Sequence, residues 1–127
     1  MREINKIIIH CSATNSEKYN HEAIKKDHIE NRKFDDIAYH FTIDQKCAIK
    51  IGRHVEVIGA HCRGYNHDSI GICLLGLDNF TEDQFETCKE FIKILLETFN
   101  LGTEDVFAHN FFNPNKTCPN FDIKKVL

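Results

Sequence analysis

Residues 69–76, Ser-Ile-Gly-Ile-Cys-Leu-Leu-Gly, are an almost unbroken apolar run ending in glycine. A strand with one wet face alternates apolar and polar side chains, whereas a run without that alternation suits a strand covered on both faces. The stretch therefore reads as a strand in the middle of a central sheet, and the rest of the chain has to supply its neighbours and the layers that cover it.

On its C-terminal side, Thr81-Glu82-Asp83-Gln84 has the threonine and glutamine of a capping box and announces a helix. Phe85, Cys88, Phe91, Ile92, Leu95, Leu96 and Phe99 recur at helical spacing, a wide stripe that can cover one face of the sheet. Asn100-Leu101-Gly102 is expected to end that helix on its glycine. Residues 105–108 then form a short strand that delivers His109, and Asp122 caps a brief terminal helix carrying Ile123 and Val126. On the N-terminal side, residues 52–66 form a loop rich in glycine, histidine and tyrosine. Residues 36–43, Asp-Ile-Ala-Tyr-His-Phe-Thr-Ile, read as a strand with Ala38, His40 and Thr42 on one face and Ile37, Tyr39, Phe41 and Ile43 on the other. That strand turns at Asp44-Gln45-Lys46 into a second one over 48–51. Asn20 can cap a helix over 21–31 with Ile24, His28 and Ala23 on its inner side, His21 and His28 being expected at the surface or half-buried. Lys6 to Ile9 is a short buried strand ending in His10-Cys11.

A chain of 127 residues is one domain, here 1–127, large enough to bury a core. No apolar stretch is long enough to cross a membrane. A net charge of −3 without a lysine or arginine run argues against a sequence-independent nucleic-acid binder, which needs a positive surface to displace counterions. The six cysteines, 11, 47, 62, 73, 88 and 118, are scattered singly behind a polar start, Met1-Arg2-Glu3. Reduced thiols and synthesis in the cytoplasm without a signal peptide are expected, with Cys73 and Cys88 as core residues.

Candidate chemistry gathers in residues 107–122, where His109 and Cys118 bracket a loop with Pro114 and Lys116. Imidazole and thiolate together suit zinc, and His10, at the other end of the chain, is the best third donor. Three protein donors with an open fourth position describe a catalytic site, where a structural one closes with four. A tyrosine such as Tyr39 in a strand is ordinarily core, and a lone loop lysine such as Lys116 ordinarily solvated.

Four segments in order, Ile-Ile-Ile-His-Cys-Ser-Ala-Thr from residue 7, Ile-Ala-Tyr-His-Phe-Thr-Ile from 37, Gly-Ala-His-Cys-Arg-Gly-Tyr-Asn-His-Asp-Ser from 59 and the 109–122 loop, resemble zinc-dependent N-acetylmuramoyl-L-alanine amidases of the phage-lysozyme and peptidoglycan-recognition superfamily. The resemblance spans about residues 7–122 and is nearest to short phage endolysins. It implies an α/β fold with a central mixed sheet flanked by helices. It implies zinc on His10, His109 and Cys118, catalytic roles for Tyr39 and Lys116, and cleavage of peptidoglycan between N-acetylmuramic acid and L-alanine. His61 and Asn66 are then expected to line the substrate groove, while His40, His54 and His67 carry no assigned role. Two departures stand out: the chain has no tryptophan before Phe34, and Asn120 stands where glycine is frequent. The expected partner is peptidoglycan, with no nucleic acid or membrane, and the expected state a monomer that reaches the wall through other factors. The alternatives are a non-catalytic recognition module of the same fold and a regulator that binds a protein such as a polymerase.

Overall fold

A computed structural model describes residues 2–127. Among them, five strands form one mixed sheet: β1 (Lys6–Cys11), β2 (Phe41–Ile43), β3 (Ile49–Ile51), β4 (Ser69–Leu74) and β5 (Val106–Ala108), in the spatial order β3-β2-β4-β1-β5. β4 lies between β2 and β1 and runs parallel to both, with Ile70 opposite Ile7 and Cys73 opposite both His10 and Thr42. β5 is parallel to β1, and β3 pairs antiparallel with β2 at the edge. Every residue of β4 is buried, as the absence of alternation in its sequence requires.

Parity along the strands sorts side chains to two faces. Ile7 and Ile9 of β1, Phe41 and Ile43 of β2, Ile70, Ile72 and Leu74 of β4 and Val106 of β5 pack together. Helix α2 (Glu82–Thr98) covers them with Phe85, Cys88, Ile92 and Leu95, while Phe91, Leu96 and Phe99 of the same stripe are partly buried. Each fully buried isoleucine contributes about 1.5–3 kcal/mol, so this face is the main source of stability. The Thr81 hydroxyl accepts from the Gln84 N–H at 2.9 Å and the Gln84 side chain accepts from the Thr81 N–H at 3.2 Å, completing the capping box. Gln84 is fully buried and its amide also donates to the carbonyls of Ile43 and Leu75, tying the helix start to the ends of β2 and β4.

The helix ends two residues earlier than its glycine suggests. Asn100 takes the left-handed conformation, φ 55°, and the Leu101 N–H returns to the Leu96 carbonyl at 2.8 Å. This is the Schellman arrangement, in which asparagine replaces the usual glycine. Gly102 is left to begin the turn that leads into β5.

The opposite face carries α1 (His21–Glu30), capped by the Asn20 side chain accepting from the Ala23 N–H. His21 and His28 are both buried, His21 against β2 and His28 against the segment that precedes it. The ring nitrogen Nδ1 of His21 lies 2.7 Å from the Thr42 hydroxyl, and Nδ1 of His28 accepts from the Ala38 N–H at 3.0 Å. The strand expected over 36–43 is only its last three residues. Over 36–40 the backbone is instead wrapped by the following loop: Arg53 N–H donates to the Tyr39 carbonyl, Ala60 N–H to the Ala38 carbonyl, and the Arg53 guanidinium to the Ile37 carbonyl at 2.7 Å. Gly52 is required there, because a Cβ would run into the Tyr39 carbonyl oxygen.

Candidate metal centre

The parallel strands β1 and β5 end on the same side of the sheet, and that is where the chemistry-bearing residues meet. His10, of opposite parity to Ile7 and Ile9, points away from α2 into the other layer and is 1% exposed. His109 follows β5 directly and opens a single helical turn, α3 (His109–Phe112). The chain then returns through Lys116 to Cys118, whose carbonyl accepts from the Asn110 N–H at 3.0 Å, closing the loop. After it, Asn120 sits at φ 66°. The turn keeps the left-handed conformation that glycine favours, because asparagine is among the few other residues that tolerate it.

Ligand atoms of His10, His109 and Cys118 lie within 4.8 Å of one another, and no other such cluster of histidine, cysteine or carboxylate groups occurs among the described residues. Bonds of about 2.0–2.3 Å in a tetrahedron put neighbouring ligand atoms about 3.5 Å apart, so three atoms this close can converge on one ion. Two imidazoles and a thiol are also the donor types that suit zinc. The six cysteines are all free, so Cys118 is available as a ligand. Its sulfur accepts the Cys11 N–H at 3.1 Å, which fixes its position against β1.

Electrostatics favours neutral imidazoles. Burial, reinforced by the neighbouring His61 and His109 rings, holds His10 well below the ordinary histidine range. Burial, with the Lys116 ammonium nearby, lowers His109. Neutral imidazole is the form that binds a metal. The Cys118 thiol is pushed up by its hydrogen bond with the Cys11 side chain and by burial, so it must lose a proton on ligation.

A cleft of about 370 Å³ opens over the cluster, lined among others by Tyr39, Arg63, His109, Asn113 and Lys116. The ring of Tyr39 lies 5.2 Å from that of His10. Burial raises the Tyr39 phenol well above its usual value, so its hydroxyl keeps its proton at neutral pH and can donate. Lys116 is exposed at the rim.

His61 is among the residues that line the cleft, whereas the Asn66 side chain turns into its own loop. His61 is 7% exposed, with Nδ1 2.8 Å from His10 Nε2 and Nε2 3.2 Å from the Ser69 hydroxyl. The Asn66 side-chain oxygen accepts from the backbone N–H groups of His61 and Cys62, so it shapes the loop itself. His40 is fully buried: Nδ1 accepts from the Gly71 N–H at 3.0 Å, which leaves Nε2–H to donate to the Val57 carbonyl at 2.8 Å. His54 and His67 are exposed. Two arginines missing from the sequence reading hold this layer in place. Arg53 binds the Ile37 and Ile58 carbonyls, and Arg2 binds those of Val55 and Ser69. Neither lies in a periodic pattern, so no local signal marks them.

Residues 1–121 match the family model described as N-acetylmuramoyl-L-alanine amidase. The endolysin of Escherichia phage T7 is 35% identical over 128 residues, 94% of this chain and 82% of that protein. Among solved structures, an N-acetylmuramoyl-L-alanine amidase from Clostridium intestinale superposes with a TM-score of 0.87 at 25% identity, covering 98% of this chain and 83% of that one. Peptidoglycan recognition protein LE in complex with tracheal cytotoxin, a monomeric diaminopimelic acid-type peptidoglycan, gives a TM-score of 0.79 at 26% identity, over 94% and 75% of the two chains.

Proposed function

The chain belongs to the N-acetylmuramoyl-L-alanine amidase family, and on that premise we propose that it hydrolyses the amide bond between the lactyl group of N-acetylmuramic acid and the L-alanine of the peptidoglycan stem peptide. The observation that carries the reading is the convergence of His10, His109 and Cys118 at the floor of a cleft that also holds Tyr39 and Lys116. In this reading the three residues hold zinc, which when bound supplies Lewis acidity and makes water a nucleophile near neutral pH.

The chain's own groups do the remaining work. His10 and His109 enter as neutral donors, and Cys118 as thiolate, leaving one side of the cluster open to the cleft. The Tyr39 hydroxyl, protonated and buried at one end, donates a hydrogen bond that orients the attacking water or the tetrahedral intermediate. Lys116 brings positive charge from the rim toward the oxygen on which negative charge develops, a contribution of several kcal/mol when the donor is held in place. Water adds across the amide, the C–N bond breaks, and the products are the muramic acid carboxylate and a stem peptide with a free amino terminus. The enzyme acts on the cell wall as a monomer of one domain.

Mass spectrometry of purified peptidoglycan after incubation tests this directly. Release of free stem peptides from intact glycan strands, abolished by chelator and restored by zinc, is the expected result. Binding to peptidoglycan without any release would make the chain a recognition module instead.

A further inference from the structure

We propose that His61 is a positioning residue that sets the tautomer and aim of His10, and through it the zinc affinity of the cluster, by a relay running from His10 to His61 to Ser69. The inference rests on the reading of His10 as a zinc ligand. His10 Nε2 is engaged with His61 Nδ1 at 2.8 Å, which leaves His10 Nδ1 as the nitrogen free for a cation. A ligating nitrogen offers its lone pair, so the ring proton of His10 sits on Nε2 and is donated to His61 Nδ1. His61 then carries its own proton on Nε2 and donates it to the Ser69 hydroxyl, 3.2 Å away. If all three groups reverse direction, the proton falls on His10 Nδ1 and the site is closed to a cation. The direction of this relay therefore decides whether His10 can bind.

The surroundings hold His61 in this task and away from others. Both of its nitrogens are engaged inside the protein, and Ser69 is fully buried. The His10 and His61 rings meet edge to face, 4.9 Å apart at 89°. Gly71, on β4, has no side chain because the His61 ring occupies that space: a Cβ there would come within 2.5 Å of His61 Cγ. Asn66 holds the His61 backbone with a hydrogen bond of 2.9 Å. Ligating histidines usually donate their second N–H to a carboxylate or carbonyl, and loss of that partner commonly costs 10–100-fold in affinity. Here the acceptor is a neutral ring, so the relay orients His10 without adding a second negative charge to that of the Cys118 thiolate.

The test is zinc affinity, measured by competition with a chromophoric chelator, in His61→Phe and His61→Asn. Phenylalanine keeps the ring volume but accepts no hydrogen bond, and about a 10–100-fold weaker affinity is expected. Asparagine can place its carbonyl oxygen near the position of Nδ1 and should recover most of the loss. Unchanged affinity in a folded His61→Phe overturns the inference while leaving zinc binding by the wild-type protein intact. Failure of the wild-type protein to bind zinc overturns the functional reading itself. Should His61→Phe fail to fold, nitrogen-15 NMR of the zinc-loaded wild-type protein decides. His61 protonated on Nε2 supports the relay, and His61 protonated on Nδ1 overturns it.

Discussion

Tyr39 and Lys116 reach the cleft without belonging to the donor set, so substituting them separates catalysis from metal binding. Tyr39→Phe and Lys116→Ala are each expected to retain one zinc per chain and the wild-type far-ultraviolet spectrum while lowering kcat by about 10²–10³-fold, the usual cost of one transition-state donor. The decrease should appear equally in kcat/KM, since an interaction made only in the transition state leaves substrate binding alone. Wild-type rates for both on muropeptide would remove them from the mechanism. His10→Ala should behave differently and lose zinc together with activity, which elemental analysis of the purified variant reads. The cluster that the structure brings together, His10, His109 and Cys118, was legible in the sequence because imidazole and thiol are chemically distinctive and the 109–122 loop brackets two of them. The job of His61 was not legible: its partner His10 is 51 residues away, and a histidine in a glycine-rich loop looks the same in sequence whether it faces solvent or another ring.

Elements were legible where one local signal agreed with one tertiary role. β4 and α2 came directly from an unbroken apolar run and from a capping box followed by a 3.6-residue stripe. Residues 36–40 have the same β-branched and aromatic character as a strand, yet their carbonyls are taken by Arg53 and Ala60 from a loop that follows, and no propensity encodes that competition. The start of α2 allows an element-scale prediction. Thr81→Ala removes one acceptor from the first helical turn and should cost about 1 kcal/mol. Gln84→Ala should cost more, because it removes its half of the capping box together with two buried hydrogen bonds to the Ile43 and Leu75 carbonyls. Urea unfolding at constant m-value gives both numbers, and a Thr81 loss larger than that of Gln84 would contradict the view that Gln84 fastens the helix to the sheet.

At the scale of the whole molecule, the layer opposite α2 is built on uncharged imidazoles: His10, His21, His28, His40 and His61 are all buried, and burial is the leading cause lowering each of them. His40 gives this a pH range. Burial, opposed by the Val57 carbonyl that accepts its Nε2–H and reinforced by Arg2, Arg53 and His54, lowers it from 6.5 to about 4. The folded state therefore keeps His40 neutral where the unfolded chain has already taken up a proton. Its contribution is complete above about pH 6.5 and is lost progressively as pH falls from there to about 4, amounting to roughly 3 kcal/mol over the interval. The other buried histidines act with the same sign, so the metal-free protein should lose stability steeply on mild acidification. Urea midpoints between pH 7.5 and 4.5, in the presence of chelator so that metal release adds nothing, measure that slope. His40→Asn should start from lower stability at pH 7.5, because the Gly71 N–H is then less well satisfied, but it should decline less over the same range. Parallel curves for the two proteins would show that the proton taken up on acid unfolding goes elsewhere than His40.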